Sequence, residues 1–238
     1  MVNLVDSKII SNPNNLKVLY EDNHLIAINK RPGDIVQGDK TGDMPLNEVV
    51  KLFLKKKYKK PGNVYLGVAH RLDRPTSGII VFAKTSKVLP RLNKLFAEKK
   101  AKKTYWAIVK NLPEKDSDTL VHWLSRNTKQ NKSYAHTHEI ASGKKAVLEY
   151  RIFQKLNNYY ALEIDLLTGR HHQIRAQLAA IGCPIKGDLK YGFDRSNKDA
   201  SIHLHAQSLS FVHPVQKSAI TLTASPPDDP LWNICAKK

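Results

Sequence analysis

The sequence predicts an α+β fold in one domain, built on an antiparallel or mixed sheet. Strand-like segments rich in β-branched and aromatic residues crowd the middle of the chain. Only three segments show helical spacing, and they do not alternate with the strands as a doubly wound parallel sheet requires. With 238 residues, 41% hydrophobic and 25% charged, the chain has the composition of a globular protein able to bury a sizeable core. It contains no internal repeat, long linker or low-complexity block.

Residues 1–15 are polar and expected to fray, with no basic start and apolar core of an export signal. The stretch 16–33 reads as two strands around Glu21, Asp22 and Asn23, closed by Pro32 and Gly33. Helical spacing of Leu46, Val49, Val50 and Phe53 predicts a helix over 44–58, and "GIIVFAKT" (78–85) a short buried strand. A second helix is predicted over 86–102, with Leu89, Leu92, Leu95 and Phe96 inward and Pro90 in its first turn. Strands follow at 103–111, 118–125, 132–140, 145–156 and 159–167, the last two joined by a turn at Asn157 and Asn158. A third helix is expected over 169–182, with Ile174, Leu178 and Ile181 as its stripe and Gly182 as its stop. Strands at 202–214 and 218–225 close the chain.

The charge is far from balanced. Thirty-nine Lys and Arg against 21 Asp and Glu give +18, an excess that attracts phosphate-rich partners. No apolar run approaches the roughly 18–20 residues of a spanning helix, so a membrane partner is not expected. Cys183 and Cys235 are the two cysteines, far apart and without metal-ligand spacing. A reducing cytoplasm is the simplest setting, and nucleic acid the leading partner.

Three clusters carry possible chemistry. In "AHRLDRPTSG" (69–78), Asp73 sits between Arg71 and Arg74 before a turn. The plain reading is a surface ion pair. The sharper one is a carboxylate kept ionised by a nearby guanidinium, which lowers such a pKa by about 1–3 units, and able to act as a nucleophile at an anomeric carbon. In "TGRHHQIRAQL" (168–178), Arg170 and Arg175 flank two histidines and a glutamine. Arg175 lies beside the apolar stripe, where it either reaches a buried carboxylate or belongs to a solvated face that binds phosphate. The lysines at 51–60, including Lys55, Lys56 and Lys57, and those at 99–103 are either solvated faces or a phosphate footprint. Tyr105 and Trp106 follow the second group, suited to base stacking unless they pack into the core. The pairs His136/His138, His171/His172 and His203/His205 lack an HExxH helix, a cysteine cluster or nearby carboxylates at ligand spacing, so no metal is expected. "HRLD" also lacks the preceding Gly-rich loop of a kinase.

The ordered motifs "LYEDNHLIAINKRPG", "HRLDRPTSGIIVFAKT", "KKTYWAIV", "TGRHHQIRAQLAAIGCPIKGDLKYG" and "LHAQSLSFVHP" resemble the RluA family of RNA pseudouridine synthases, from about residue 16 to 224. The resemblance implies a mixed, mainly antiparallel sheet with flanking helices and a central RNA-binding cleft. It places the catalytic aspartate at Asp73, the active-site tyrosine at Tyr105 and the arginine that pairs with the aspartate at Arg175. It puts Arg71 in the space vacated by an extruded uridine and Leu204 against the base. Tyr105 is expected to stack on the base and help remove the C5 proton, while Asp73 attacks C1′ or assists loss of the base as a glycal. Arg170 and the lysines would hold substrate phosphates. No cofactor or metal is implied, and a monomer acting on ribosomal or transfer RNA is expected. Many relatives carry an S4-type module before the catalytic domain; residues 1–15 are too few to form one. Two other classes use parts of the same pattern. A non-catalytic RNA-binding protein needs the charge but not Asp73, and a metal-dependent hydrolase would rest on the histidines.

Overall fold

The computed structural model describes residues 10–39 and 41–236. In chain order it contains β1 (Val18–Glu21), β2 (Leu25–Lys30), α1 (Leu46–Lys57), β3 (Gly67–Val68), β4 (Ser77–Ala83), α2 (Leu89–Ala97), β5 (Lys102–Val109), β6 (Ser117–Asn127), β7 (Lys132–His136), β8 (Lys144–Lys155), β9 (Tyr160–Leu166), α3 (Gln173–Ala180), β10 (Leu204–Val212), β11 (Ala219–Thr223) and α4 (Pro230–Cys235). The strands join in one 11-stranded sheet, ordered β1-β2-β4-β10-β5-β9-β8-β6-β7, with β11 on β10 and β3 on β4. Every pairing is antiparallel except β4 with β10. The α+β class with a mixed, mainly antiparallel sheet is therefore what the chain forms.

Continuous apolar runs mark strands covered on both faces. In β2 and β4, Leu25, Ala27, Ile79 and Val81 pack against Leu92 and Leu95 of α2. The alternate residues Ile26, Ile28, Ile80 and Phe82 pack against Leu46, Val49, Val50 and Leu54 of α1. Leu54 takes the inner position expected of Phe53, which is only partly buried. On the other half of the sheet, Ile174 and Leu178 of α3 cover Leu148, Leu162 and Ile164, with Ile181 only partly buried against them. Trp232 of α4 packs on Ile108 and Ala161 of the opposite face.

All three predicted helices form, each shorter than its periodicity suggested. Lys99 takes φ +56°, which ends α2 and frees the chain to enter β5. His172 takes φ +52° and delays α3 to Gln173. The hairpin at Asn157 and Asn158 is present, closed by Leu156 N–H donating to Tyr159 O at 2.8 Å. β3, α4 and a 3₁₀ turn at Leu189–Tyr191 are additions to the predicted elements. Of the segment expected to fray, residues 1–9 lie outside the described residues. Residues 10–15 do not follow that expectation, because Ser11 Oγ donates to Asp34 Oδ2 at 2.6 Å and Asn12 accepts from the N–H groups of Asn14 and Asn15.

The parallel join brings the starts of β4 and β10 together, pairing His205 with Ser77 and Ala206 with Gly78. Gly78 has φ +113°, and a Cβ there would lie 2.3 Å from Ala206 O and 2.6 Å from Ala206 N. Both the backbone angle and the close approach require glycine. Gly78→Ala is expected to destabilise the protein by about 3 kcal/mol or more, through strain and overpacking together. Urea unfolding of the variant beside the wild type checks this; an unchanged midpoint would mean that the two strands separate without cost.

Candidate active site

Asp73 lies in the loop that enters β4, and the loop is held by backbone acceptors. Lys30, at the end of β2, is 1% exposed, and its Nζ donates to the carbonyls of Arg31 (2.9 Å), Arg74 (3.1 Å) and Thr76 (2.7 Å). A buried ammonium is tolerated only when its donors are satisfied, so the lysine and the loop fix each other. Gly33 N–H also donates to Arg74 O (2.7 Å), and Thr76 N–H to Asp73 O (3.1 Å). His70 accepts from Val81 N–H at 2.9 Å, and burial pushes its pKa down to about 3, which keeps that nitrogen an acceptor.

The two arginines beside Asp73 in sequence are not its partners. Arg74 pairs with Asp43, and Arg71 is exposed on the wall of a cavity. The partner is Arg175 of α3, whose Nη1 donates to Asp73 Oδ2 at 3.0 Å. Its Nε and Nη2 donate to Oδ2 and Oδ1 of Asp188 at 2.7 and 2.9 Å. Arg175 and Asp188 are 5% and 1% exposed. Burial opposes the guanidinium's charge, but the hydrogen bonds and charges of Asp188 and Asp73 outweigh it and raise its pKa. Of the two readings of the third helix, the inward arginine is the one realised. His172 Nε2 also lies 3.5 Å from Asp73 Oδ2. Burial pushes the His172 pKa down to about 3 despite the attraction of Asp73, so the contact is not an ion pair at neutral pH.

Asp73 opens on a cavity of 620 Å³, within the range of about 300–1,000 Å³ typical of small-molecule sites. Arg71, Lys99, Lys103, Arg126, Arg170 and Arg175 line it, and Asp73 is its one acid among the described residues. Tyr105 of β5 and Leu204 of β10 supply its floor beside Leu166. Alternation along β5 settles which aromatic faces in: Tyr105 lines the cavity, while Trp106 packs against Phe153 on the other face. Burial, then the nearby Asp73 charge, raises the Tyr105 pKa, so its hydroxyl stays protonated in the resting site. Lys103 lies over the Phe96 ring at 4.4 Å, and burial lowers its pKa to about 8. Arg170 Nε is tied to Lys145 O at 3.1 Å.

Asp73, Tyr105, Arg175, Arg71, Arg170 and Leu204 therefore converge on one cavity. Lys55, Lys56 and Lys57 do not. They lie on α1, where Lys57 pairs with Glu21 at 2.7 Å and Lys56 reaches Asn14 at 3.0 Å. The histidine pairs find separate partners: His136 meets Ser125, His203 meets Asp229, and His205 meets Ser77. Cys183 and Cys235 lie in different apolar clusters. Sequence reasoning passed over Lys30 and Asp188, although both lie inside motifs quoted above. A lysine or aspartate carries no local sign that it will be buried, so composition and spacing could not have singled them out.

Asp188→Asn leaves a buried guanidinium with one carboxylate, a change expected to cost about 3–5 kcal/mol of stability. Denaturant unfolding of the two proteins is the check, and a loss under 1 kcal/mol, about the worth of an exposed pair, would contradict the buried clamp.

A family model described as RNA pseudouridylate synthase matches residues 24–180. Ribosomal large subunit pseudouridine synthase C of Buchnera aphidicola is 33% identical over 218 residues, covering 88% of this chain and 67% of the relative. Ribosomal large subunit pseudouridine synthase D of Zymomonas mobilis is 31% identical over 224 residues, covering 90% and 70%. The chain thus spans about two thirds of these relatives' length. Among solved structures, human RNA pseudouridylate synthase domain containing 4 superposes with a TM-score of 0.76 at 22% identity, covering 92% of each chain, a likeness of fold. The cavity thus lies in a chain that belongs to the RNA pseudouridine synthases, of the RluA type its motifs resemble, a family of RNA isomerases.

Proposed function

We propose that this chain, as one catalytic domain, isomerises a specific uridine of structured RNA to pseudouridine with Asp73 as nucleophile. The observation that carries the reading is a solitary carboxylate, clamped by a buried arginine, on a cavity whose other charged side chains are all cations. Relatives named as synthases of the ribosomal large subunit favour its RNA over transfer RNA as the substrate.

RNA phosphates dock on the cationic rim, and the target uridine leaves its stack at a cost of about a few kcal/mol. An Asp73 oxygen forms a bond to ribose C1′ as the C1′–N1 bond breaks and its electron pair leaves on the uracil. The freed base turns, C5 attacks C1′, and the carboxylate departs with the C1′–O pair. C5 then loses its proton and N1 gains one. Tyr105 stacks beneath the base. Because its hydroxyl is protonated at rest, it can take the C5 proton only by passing its own onward. Leu204 and Leu166 offer apolar contact that tolerates the base in both orientations. The reading as a non-catalytic RNA binder uses the same rim but assigns nothing to the Asp73–Arg175–Asp188 clamp.

Asp73→Asn is expected to abolish tritium release from RNA carrying 5-tritiated uridine, with RNA affinity changed by no more than a few-fold. Tyr105→Phe should bind normally and turn over far more slowly. Substantial turnover by a clean Asp73→Asn preparation would sink the nucleophile, and full activity of Tyr105→Phe would remove the hydroxyl from the chemistry.

Lys103 adds a pH dependence of definite sign. Its depressed pKa of about 8 means that the ammonium is mostly charged below that pH and lost above it. At fixed salt, RNA affinity should weaken as pH rises from about 7 to about 9, whereas most surface lysines keep their charge. Lys103→Arg should flatten this fall because guanidinium does not titrate there. Fluorescence titrations of both proteins at several pH values decide it; parallel curves would mean that Lys103 does not contact phosphate.

A further inference from the structure

We propose that His172 is a positioning residue: Tyr191 holds its imidazole as the Nε2–H tautomer, which presents that N–H to Oδ2 of Asp73 and leaves Oδ1 as the reacting oxygen. The inference rests on Asp73 being the reactive carboxylate.

The protons shared by Tyr191 and His172 fix the tautomer. The Tyr191 hydroxyl accepts from Ser133 N–H at 2.9 Å and lies 3.0 Å from His172 Nδ1. Tyr191 is 7% exposed, and burial pushes its pKa up to about 12, so it keeps its single proton. Among the described residues, that proton has one acceptor, Nδ1 of His172. A neutral imidazole that accepts at Nδ1 must carry its hydrogen on Nε2. The other tautomer would leave the Tyr191 proton without an acceptor and set the Nε2 lone pair against a carboxylate.

The assembly is held from several sides. Ser133 of β7 is buried, and its Oγ bonds both Nδ1 and the carbonyl of His171 at 2.9 and 2.8 Å. The His171 ring stacks on that of His172 with centroids 3.8 Å apart. His172 itself occupies the left-handed region at φ +52° and ψ 27°. A non-glycine residue there costs about 1–2 kcal/mol, strain that persists where its surroundings impose it. The Nε2–Oδ2 distance of 3.5 Å is long for a hydrogen bond. Contacts of this kind tighten when substrate fills a site. Arg175 and His172 both address Oδ2, whereas no hydrogen bond reaches Oδ1 among the described residues. The carboxylate is thereby oriented, with one oxygen anchored and the other available to the cavity.

The test has a spectroscopic and a kinetic arm, both on the full chain. Long-range ¹H–¹⁵N spectra of the histidine rings at neutral pH should show His172 with a pyrrole-type Nε2 and a pyridine-type Nδ1. Tyr191→Phe should erode that preference. In single-turnover assays, His172→Met should lower the chemical rate by about ten- to hundredfold, the worth of one hydrogen bond to a charged group, with RNA affinity unchanged. His172→Gln, whose amide N–H can stand in for Nε2–H, should stay within a few-fold of wild type. An Nδ1–H tautomer in the wild type overturns the proposal, as does a His172→Met rate equal to wild type. Equal losses in the Met and Gln variants also overturn it, since packing alone would then explain them. Absence of pseudouridine from the wild type would sink the functional reading, and this role with it, while the tautomer would still report the geometry.

Discussion

The guanidinium of Arg175 is buried, and a buried cation must be surrounded by acceptors or leave the interior. Three separate stretches of chain meet to satisfy it: α3 supplies the arginine, the turn after residue 187 supplies Asp188, and the loop before β4 supplies Asp73. Asp188 takes two of the donors in a parallel pair, the geometry in which arginine and carboxylate match best. Of the three N–H donors that remain, one on Nη1 is aimed at Asp73. One buried ion pair thus aims the hydrogen bond that orients the carboxylate, and the site cannot form unless the two halves of the sheet are already joined.

That join is the parallel contact of β4 with β10. In a sheet that is otherwise antiparallel, it sets the entry of β4 beside the entry of β10, so the loop carrying Asp73 and the strand carrying Leu204 open on the same cavity. Gly78 permits the approach because it has no Cβ. Lys30 then fixes the loop from beneath by satisfying two of its carbonyls, those of Arg74 and Thr76. A mobile loop could carry a carboxylate, but only a loop held this way keeps it at the arginine in the absence of substrate.

Charge is distributed with the same logic. The chain is +18 overall, yet the many surface lysines differ in what they face. Lys57 is taken up by Glu21, Lys84 by the same carboxylate, and Lys102 by Asp165. Lys103, one residue on, points to the opposite face of β5 and reaches the cavity, where desolvation weakens its hold on its proton. Alternation along a strand turns one lysine into a surface ion pair and its neighbour into part of the cavity wall.

Much of this was legible in the residues. Apolar runs and periodicities located the strands and the three longer helices, because burial of one or two faces leaves a period of two or 3.6 whatever the topology. The ordered motifs around Asp73, Tyr105 and Arg175 identified the family, and the structure brings these three residues to one cavity. The inward turn of Arg175 stayed open in the sequence, since its place beside an apolar stripe suits either a buried or a solvated cation. Tertiary structure decided the rest. Arg74, adjacent to Asp73 in sequence, turned to Asp43, and the true partner came from 102 residues away. Lys55, Lys56 and Lys57 read equally as a solvated face or a phosphate footprint, and α1 carries them to a face that lines no part of the cavity. Asp188, Lys30 and the Ser133–Tyr191–His172 chain left no local mark, because what defines them is burial beside a particular partner. The sequence by itself determined which segments seek the core and which chemistry the motifs carry; only folding decided which charges face one another, since that depends on the register and crossing of strands far apart in the chain.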